Sequence, residues 1–143
     1  MSRWFPMTCI ALACLAPGAG PASAQSPAAL AGGYAEAARR ESPGFSGLSA
    51  ARGEKFFQST HGGDWSCASC HTANPAAPGR HARTAKALAP LAPAANAERF
   101  TSVATAEKWF KRNCNDVVGR ECTAQEKGDV LAYLMQVGAG GAR

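Results

Sequence analysis

The chain has 143 residues, with 15 lysines and arginines against 10 acidic side chains, a net charge of +5 at pH 7, six cysteines and 46% hydrophobic residues. That length and composition suit one small domain. The basic residues are dispersed and form no polybasic run, which argues against a nucleic-acid partner.

The first residues read as an export signal. Arg3 supplies a positive start, Met7 to Ala19 is a short apolar stretch broken by Pro17 and Gly18, and Ala22-Ser23-Ala24 is a small-residue cleavage site. Residues 1–24 are therefore expected to be a signal peptide cleaved after Ala24, and residues 25–143 the mature domain, in the periplasm. The apolar stretch is too short to anchor the chain, since a span takes about twenty residues. Ala11 stands where a lipobox before Cys14 would place a large aliphatic residue, which argues against lipidation. Removing 24 residues leaves 119, with 14 basic against 10 acidic side chains.

Beyond Ala24, helical spacing dominates the chain. Pro27 to Arg40 is Ala-rich, sets Leu30, Tyr34 and Ala37 or Ala38 on one side, and stops at Ser42-Pro43-Gly44. It reads as a leading helix packed outside the core. Ser49 to Ser59 is predicted as the second helix, with Gly53 and Phe56 or Phe57 spaced to press on another helix. The turn His61-Gly62-Gly63-Asp64 leads into Cys67-Ala68-Ser69-Cys70-His71, a C-x-x-C-H pentapeptide. In that pattern two thiols at i and i+3 add across the vinyl groups of a haem c, and the adjacent imidazole reaches the iron from the proximal side. A thioredoxin-type C-x-x-C wants a βαβ context and a zinc ribbon wants a second C-x2-C, whereas Cys114 and Cys122 are eight apart.

Asn74 to Pro93 carries Pro75, Pro78, Gly79, Pro90 and Pro93, so it is expected to be loop wrapped over the haem. Val103 to Asn113 is the next predicted helix, with Val103, Ala106, Phe110 and Asn113 in one stripe. Thr123 with Glu126 forms a capping box at the start of the last helix, which buries Val130, Leu131, Leu134 and Val137 and ends at Gly138-Ala139-Gly140-Gly141. This order predicts an all-α class I cytochrome c fold with an extra N-terminal helix. Its early and terminal helices are expected to cross with Gly53 against Tyr133.

Cys9 and Cys14 leave with the signal and Cys67 and Cys70 go to haem, so Cys114 and Cys122 remain as an expected disulfide in an oxidising compartment. Closing that short loop is worth roughly 2.5 kcal/mol in the chain-entropy model. The second axial ligand is less plain. Met1 and Met7 lie in the signal, and Met135 sits on the apolar side of the last helix, where core packing is its expected role. His61, in a Gly-rich turn, and His81, between Arg80 and Arg83, read as surface residues. Asn113 lies in line with an apolar stripe, next to Cys114, and reads either as a ligand or as a helix-ending cap.

The run Pro90-Leu91-Ala92-Pro93, Glu98-Arg99-Phe100-Thr101, Glu107-Lys108-Trp109-Phe110-Lys111-Arg112-Asn113-Cys114, Gly119-Arg120-Glu121-Cys122-Thr123 and Glu126 to Tyr133 resembles the SHP-type cytochromes c. The likeness covers most of residues 50 to 137. It implies a high-spin haem with an asparagine just before the first disulfide cysteine as distal ligand, which leaves the iron on reduction so that the ferrous haem binds oxygen or another small diatomic. Carried onto this sequence, the distal ligand is Asn113, the proximal one His71, and the disulfide Cys114 to Cys122. Asn96 is the competing asparagine, but it lacks the disulfide neighbour. The resemblance also implies a dihaem cytochrome c and a membrane cytochrome b as redox partners.

An amide oxygen is a hard, neutral donor that suits ferric better than ferrous iron, so the implied gating is chemically reasonable. The expected function is electron transfer coupled to small-ligand binding. The alternatives are a plain carrier and a haem reductase of oxygen, peroxide or nitrogen oxides, for which Arg112 is the one distal cation in view.

Overall fold

The computed structural model describes Met1 and residues 25–138. The expected signal peptide with its cleavage site and the expected stop at Ala139-Gly140-Gly141 fall on residues outside those described. Five helices carry the fold: α1 (Pro27–Glu41), α2 (Ala50–Gln58), α3 (Cys67–His71), α4 (Val103–Val118) and α5 (Ala124–Gln136). Among the described residues no helix is long and apolar enough to cross a membrane.

Each long helix starts on a hydroxyl cap. Ser26, Ser49, Ser102 and Thr123 accept from the N–H groups of Ala29, Arg52, Thr105 and Glu126, satisfying donors that the first turn leaves free. At α5 Glu126 returns the bond to Thr123 N–H at 2.8 Å, completing the expected capping box.

The core is centred on α5. Leu131 and Leu134 are fully buried, and Phe57 of α2 packs its ring 5.6 Å from that of Tyr133. α2 and α5 cross closely, as expected, and at Gly53 the nearest neighbours are the α5 backbone of Asp129 and Val130. A Cβ at Gly53 would stand 1.9 Å from the carbonyl oxygen of Asp129 and 2.8 Å from Val130 N, so the helices meet one turn before Tyr133. The same turn holds an ionic clasp. Buried Asp129 accepts from Ser49 N–H at 2.6 Å and from Arg52 Nε at 2.7 Å.

α1 does not pack outside the core. Leu30, Ala31 and Tyr34 are buried in one cluster with Ala106 and Leu131, and Gly128 of α5 lets α1 lie close, since a Cβ there would stand 3.1 Å from Tyr34 Cβ. Met135 packs against that cluster, as expected of a core methionine. α4 also departs from the sequence expectation. It runs five residues past Asn113 to Val118 and ends at Gly119, in the left-handed region at φ 74°, so Asn113 is not a helix-ending cap. Within the proline-rich loop the chain makes one short ladder, β1 (Gly79–Arg80) with β2 (Ala87–Leu88), pairing Gly79 with Leu88 and Arg80 with Ala87.

Candidate haem centre

The pentapeptide folds as one helical turn because its own serines frame it. Ser66 caps α3 by accepting from Ser69 N–H at 3.1 Å, and Ser69 Oγ accepts from Ser66 N–H at 3.0 Å. Thr72, at φ 63°, ends the turn at once. Cys67 and Cys70 thus stand three residues apart on one face, with His71 following. Both are free thiols, whereas Cys114 and Cys122 are joined, with Cα atoms 5.7 Å apart.

The hairpin closes over this turn. A Cβ at Gly79 would lie 2.1 Å from the Cys70 carbonyl oxygen, so only glycine lets β1 come this near, and Ala82 N–H points to Cys70 Sγ at 3.3 Å. Burial pushes the Cys67 thiol up to about 11. Burial, helped by the nearby Arg99 guanidinium, pushes His71 down to about 4, so its imidazole is neutral, the form that donates a lone pair to a metal. Arg99 is itself held by the carbonyls of Pro90 at 3.0 Å and Ala89 at 3.1 Å.

Around these groups lies an apolar wall. Cys67 and Ala68 are part-buried against the Phe57, Val130 and Leu134 cluster together with Phe56, Leu91, Phe100 and Phe110. Two thiols on one helical face, a neutral imidazole and a half-buried aromatic wall fit a covalently held haem. The fit rests on the donor set and on this wall.

Asn113 lies on α4, one turn after Trp109 and one turn before Val117, and is exposed. Trp109 is 46% exposed, unusual for a tryptophan, and the Arg112 guanidinium sits 5.8 Å from its ring centroid. Arg112 therefore engages Trp109, which gives the reductase alternative no added support. Cys114, the next residue, is buried and fixes this part of α4 to Cys122.

The competing donors are engaged locally. His61 Nε2 lies 2.9 Å from the Phe56 carbonyl and its ring packs at a tilt against that of Phe56, with centroids 4.3 Å apart. His81 Nδ1 accepts from the N–H groups of Arg83 and Thr84, both at 3.3 Å. Asn96 donates to the Pro90 carbonyl at 3.3 Å and accepts from Glu98 N–H at 3.2 Å. Sequence reasoning missed Arg99 and Gly79. The Pro78-Gly79 pair was a turn signal, but nothing local announced contact with Cys70.

Comparison with known proteins agrees with this geometry. A family model described as a domain of unknown function, DUF1924, matches residues 43–134. The cytochrome c-type protein SHP of Cereibacter sphaeroides is 58% identical over 40 residues, 28% of this chain and 31% of that protein. That matched segment spans about a third of the relative's length. The solved structure of oxidised SHP, an oxygen-binding cytochrome c, superposes with a TM-score of 0.68 at 46% identity, covering 76% of this chain and 95% of that one. The solution structure of cytochrome c″ from Methylophilus methylotrophus, solved for insight into its haem-ligand detachment, gives 0.68 at 35% identity, covering 78% and 94%.

Proposed function

Because this chain belongs to the SHP-type cytochromes c, all-α proteins of the class I fold with one covalently bound haem c, we propose that it couples electron transfer to small-ligand binding at a site gated by Asn113. The observation that carries the reading is the setting of Asn113. It stands exposed on α4 between Trp109 and Val117, fixed by Cys114, while His61, His81 and Asn96 are engaged elsewhere.

In this reading Cys67 and Cys70 hold the haem through two thioethers and His71 supplies the proximal nitrogen. When bound, the haem provides a one-electron couple and an iron that takes up oxygen, nitric oxide or a related diatomic. Asn113 would hold a ferric iron through its amide oxygen and release a ferrous one, because a hard neutral donor binds the softer ion poorly. Phe56, Phe100 and Phe110, half-buried in the same wall as Cys67, would shield the haem from water. Tying Asn113 to the neighbouring Cys114–Cys122 link keeps the amide close after it withdraws. The protein works in the periplasm after export, with a dihaem cytochrome c and a membrane cytochrome b as its redox partners. The cytochrome c″ relative, which is described for haem-ligand detachment, supports a distal group that comes and goes.

The test is spectroscopic. Ferric holoprotein should be high-spin, and the ferrous form should take up carbon monoxide. Asn113→Ala should alter the ferric spectrum and leave ferrous ligand uptake intact, whereas Asn113→His should give a low-spin haem that resists carbon monoxide. A ferric spectrum untouched by Asn113→Ala would refute the assignment, and a wild-type low-spin haem inert to carbon monoxide would leave a plain carrier.

A further inference from the structure

Between Asp64 and Glu98 the sequence carries Arg80, Arg83 and Lys86 and no acidic residue. Spread over seven positions, they did not read as a patch. The structure gathers them on the β1–β2 hairpin, all three exposed. None of them joins the ion pairs found among the described residues.

The hairpin that displays these charges is tightly built. His81 N–H donates to the Lys86 carbonyl at 2.8 Å, Ala85 N–H to the His81 carbonyl at 2.9 Å, and Arg80 Nη1 to the Ala85 carbonyl at 2.9 Å. The two N–H groups that converge on His81 Nδ1 brace the tip. Charges on a pre-ordered loop lose little freedom on binding. The hairpin also lies on the cofactor-bearing turn, with Gly79 against the Cys70 carbonyl and Ala82 N–H on Cys70 Sγ. A molecule that docks here arrives beside the Cys70 thioether.

The other basic stretch is less suited. On α4, Lys108, Lys111 and Arg112 are interleaved with Glu107 and Asp116, and Lys111 reaches Glu121 at 3.3 Å. Its field is largely cancelled at close range, whereas the hairpin's is not.

We propose that the Arg80–Lys86 hairpin is the docking surface for an acidic one-electron redox protein, whose electron enters at the Cys70 edge. This rests on the reading of the protein as an electron-transfer cytochrome. One electron leaves the partner and reduces ferric iron to ferrous, with no covalent bond made or broken between the two proteins. An anionic bilayer would feel the same charges, but membrane surfaces are held by clusters of roughly four to eight cations. Three cations beside the cofactor match a small acidic patch on a protein.

The test uses holoprotein and flavodoxin, an acidic flavin protein, as probe. R83E/K86E, which leaves the bracing Arg80 in place, should slow reduction by flavodoxin hydroquinone about tenfold at low ionic strength and flatten its salt dependence. The milder R83Q/K86Q should fall between. Reduction by neutral photoreduced lumiflavin and ferrous carbon monoxide binding should not change. A redox-silent measurement runs beside it: oxidised flavodoxin should shift the amide signals of Ala82 to Lys86 in isotope-labelled wild type and not in R83E/K86E. An unchanged flavodoxin rate, an equal loss in K108E/K111E, or an equal slowing with lumiflavin would overturn the proposal. So would vesicles of phosphatidylglycerol and phosphatidylcholine that bind wild type but not R83E/K86E while flavodoxin kinetics stay the same. A wild type that docks flavodoxin through the hairpin but takes up no carbon monoxide would refute the ligand-binding reading and leave the docking surface standing.

Discussion

Gly53→Ala tests the helix crossing on which the haem-bearing turn is mounted. The added methyl carbon would stand 1.9 Å from the Asp129 carbonyl oxygen, 1.5 Å short of the 3.4 Å at which ordinary contact begins, and 2.3 Å from the carbonyl carbon. The obstacle is backbone in the middle of α5, so no rotamer change relieves it. α2 must move off α5, loosening the packing of Phe57 and Tyr133 and the hold of Ser49 and Arg52 on Asp129. Overpacking of this kind costs about 3 kcal/mol, and a clash with backbone belongs at the upper end. Alanine returns at most about 1 kcal/mol of helix propensity. The net loss is about 2 kcal/mol or more, roughly a thirtyfold fall in the folding constant. Gly32→Ala is the matched control, since that exposed α1 position has nothing within 4 Å of an added Cβ, and it should stabilise by up to about 1 kcal/mol. Guanidinium titration of the two holoproteins, followed by far-UV circular dichroism, should move the midpoints in opposite directions. A Gly53→Ala midpoint at or above wild type would refute the crossing.

Gly79→Ala would place a Cβ 2.1 Å from the Cys70 carbonyl, so the hairpin should lift from α3; native-state hydrogen exchange should show faster exchange at Ala82 and Ala85 while α1 stays protected. The Arg120 guanidinium on Glu126, at 2.6 and 2.8 Å, holds that carboxyl below the usual carboxylate range, aided by the bond from Thr123 N–H. Because the folded value is depressed, the stability it contributes is present above the unfolded value and is lost as pH falls through the folded one. Glu126→Gln should therefore lower stability at neutral pH and flatten the acid limb of a stability-against-pH curve, and an unchanged limb would refute the pairing.

The parts of the fold that the sequence announced are those governed by local rules. The capping box at Thr123, the proline-rich loop and the C-x-x-C-H turn each depend on residues within a few positions of one another, and the last helix begins where its signal stands. What was misjudged depended on distant partners. Tyr34 looked like one residue of an outlying helix until Leu131 and Ala106 were found around it. The expected pairing of Gly53 with Tyr133 comes from the helix crossing of the class I fold, and no local pattern foretells that Gly53 comes nearest to the backbone of Asp129. Arg80, Arg83 and Lys86 looked dispersed because charge patterning along a chain does not report a hairpin that folds six intervening residues into a turn.

The misjudged end of α4 bears most directly on function. Had the helix stopped at Asn113, the residue would stand at a frayed terminus and its amide could be moved by backbone motion. Instead five helical residues follow it, and the next residue, Cys114, is buried and joined to Cys122. Its backbone is therefore fixed on both sides, and the freedom left to the amide is rotation about its own two side-chain torsions. A side-chain rotation costs on the order of 1 kcal/mol and completes in nanoseconds, whereas unwinding a helix end is slower and more costly. A gate built this way would open without waiting for α4 to rearrange, so ligand uptake after rapid reduction should be set by the side chain and not by the fold. Freeing that backbone by replacing Cys114 and Cys122 with serine should then broaden the kinetics of carbon monoxide uptake when ferric protein is rapidly reduced in its presence, while uptake that stayed single-exponential would place the control elsewhere.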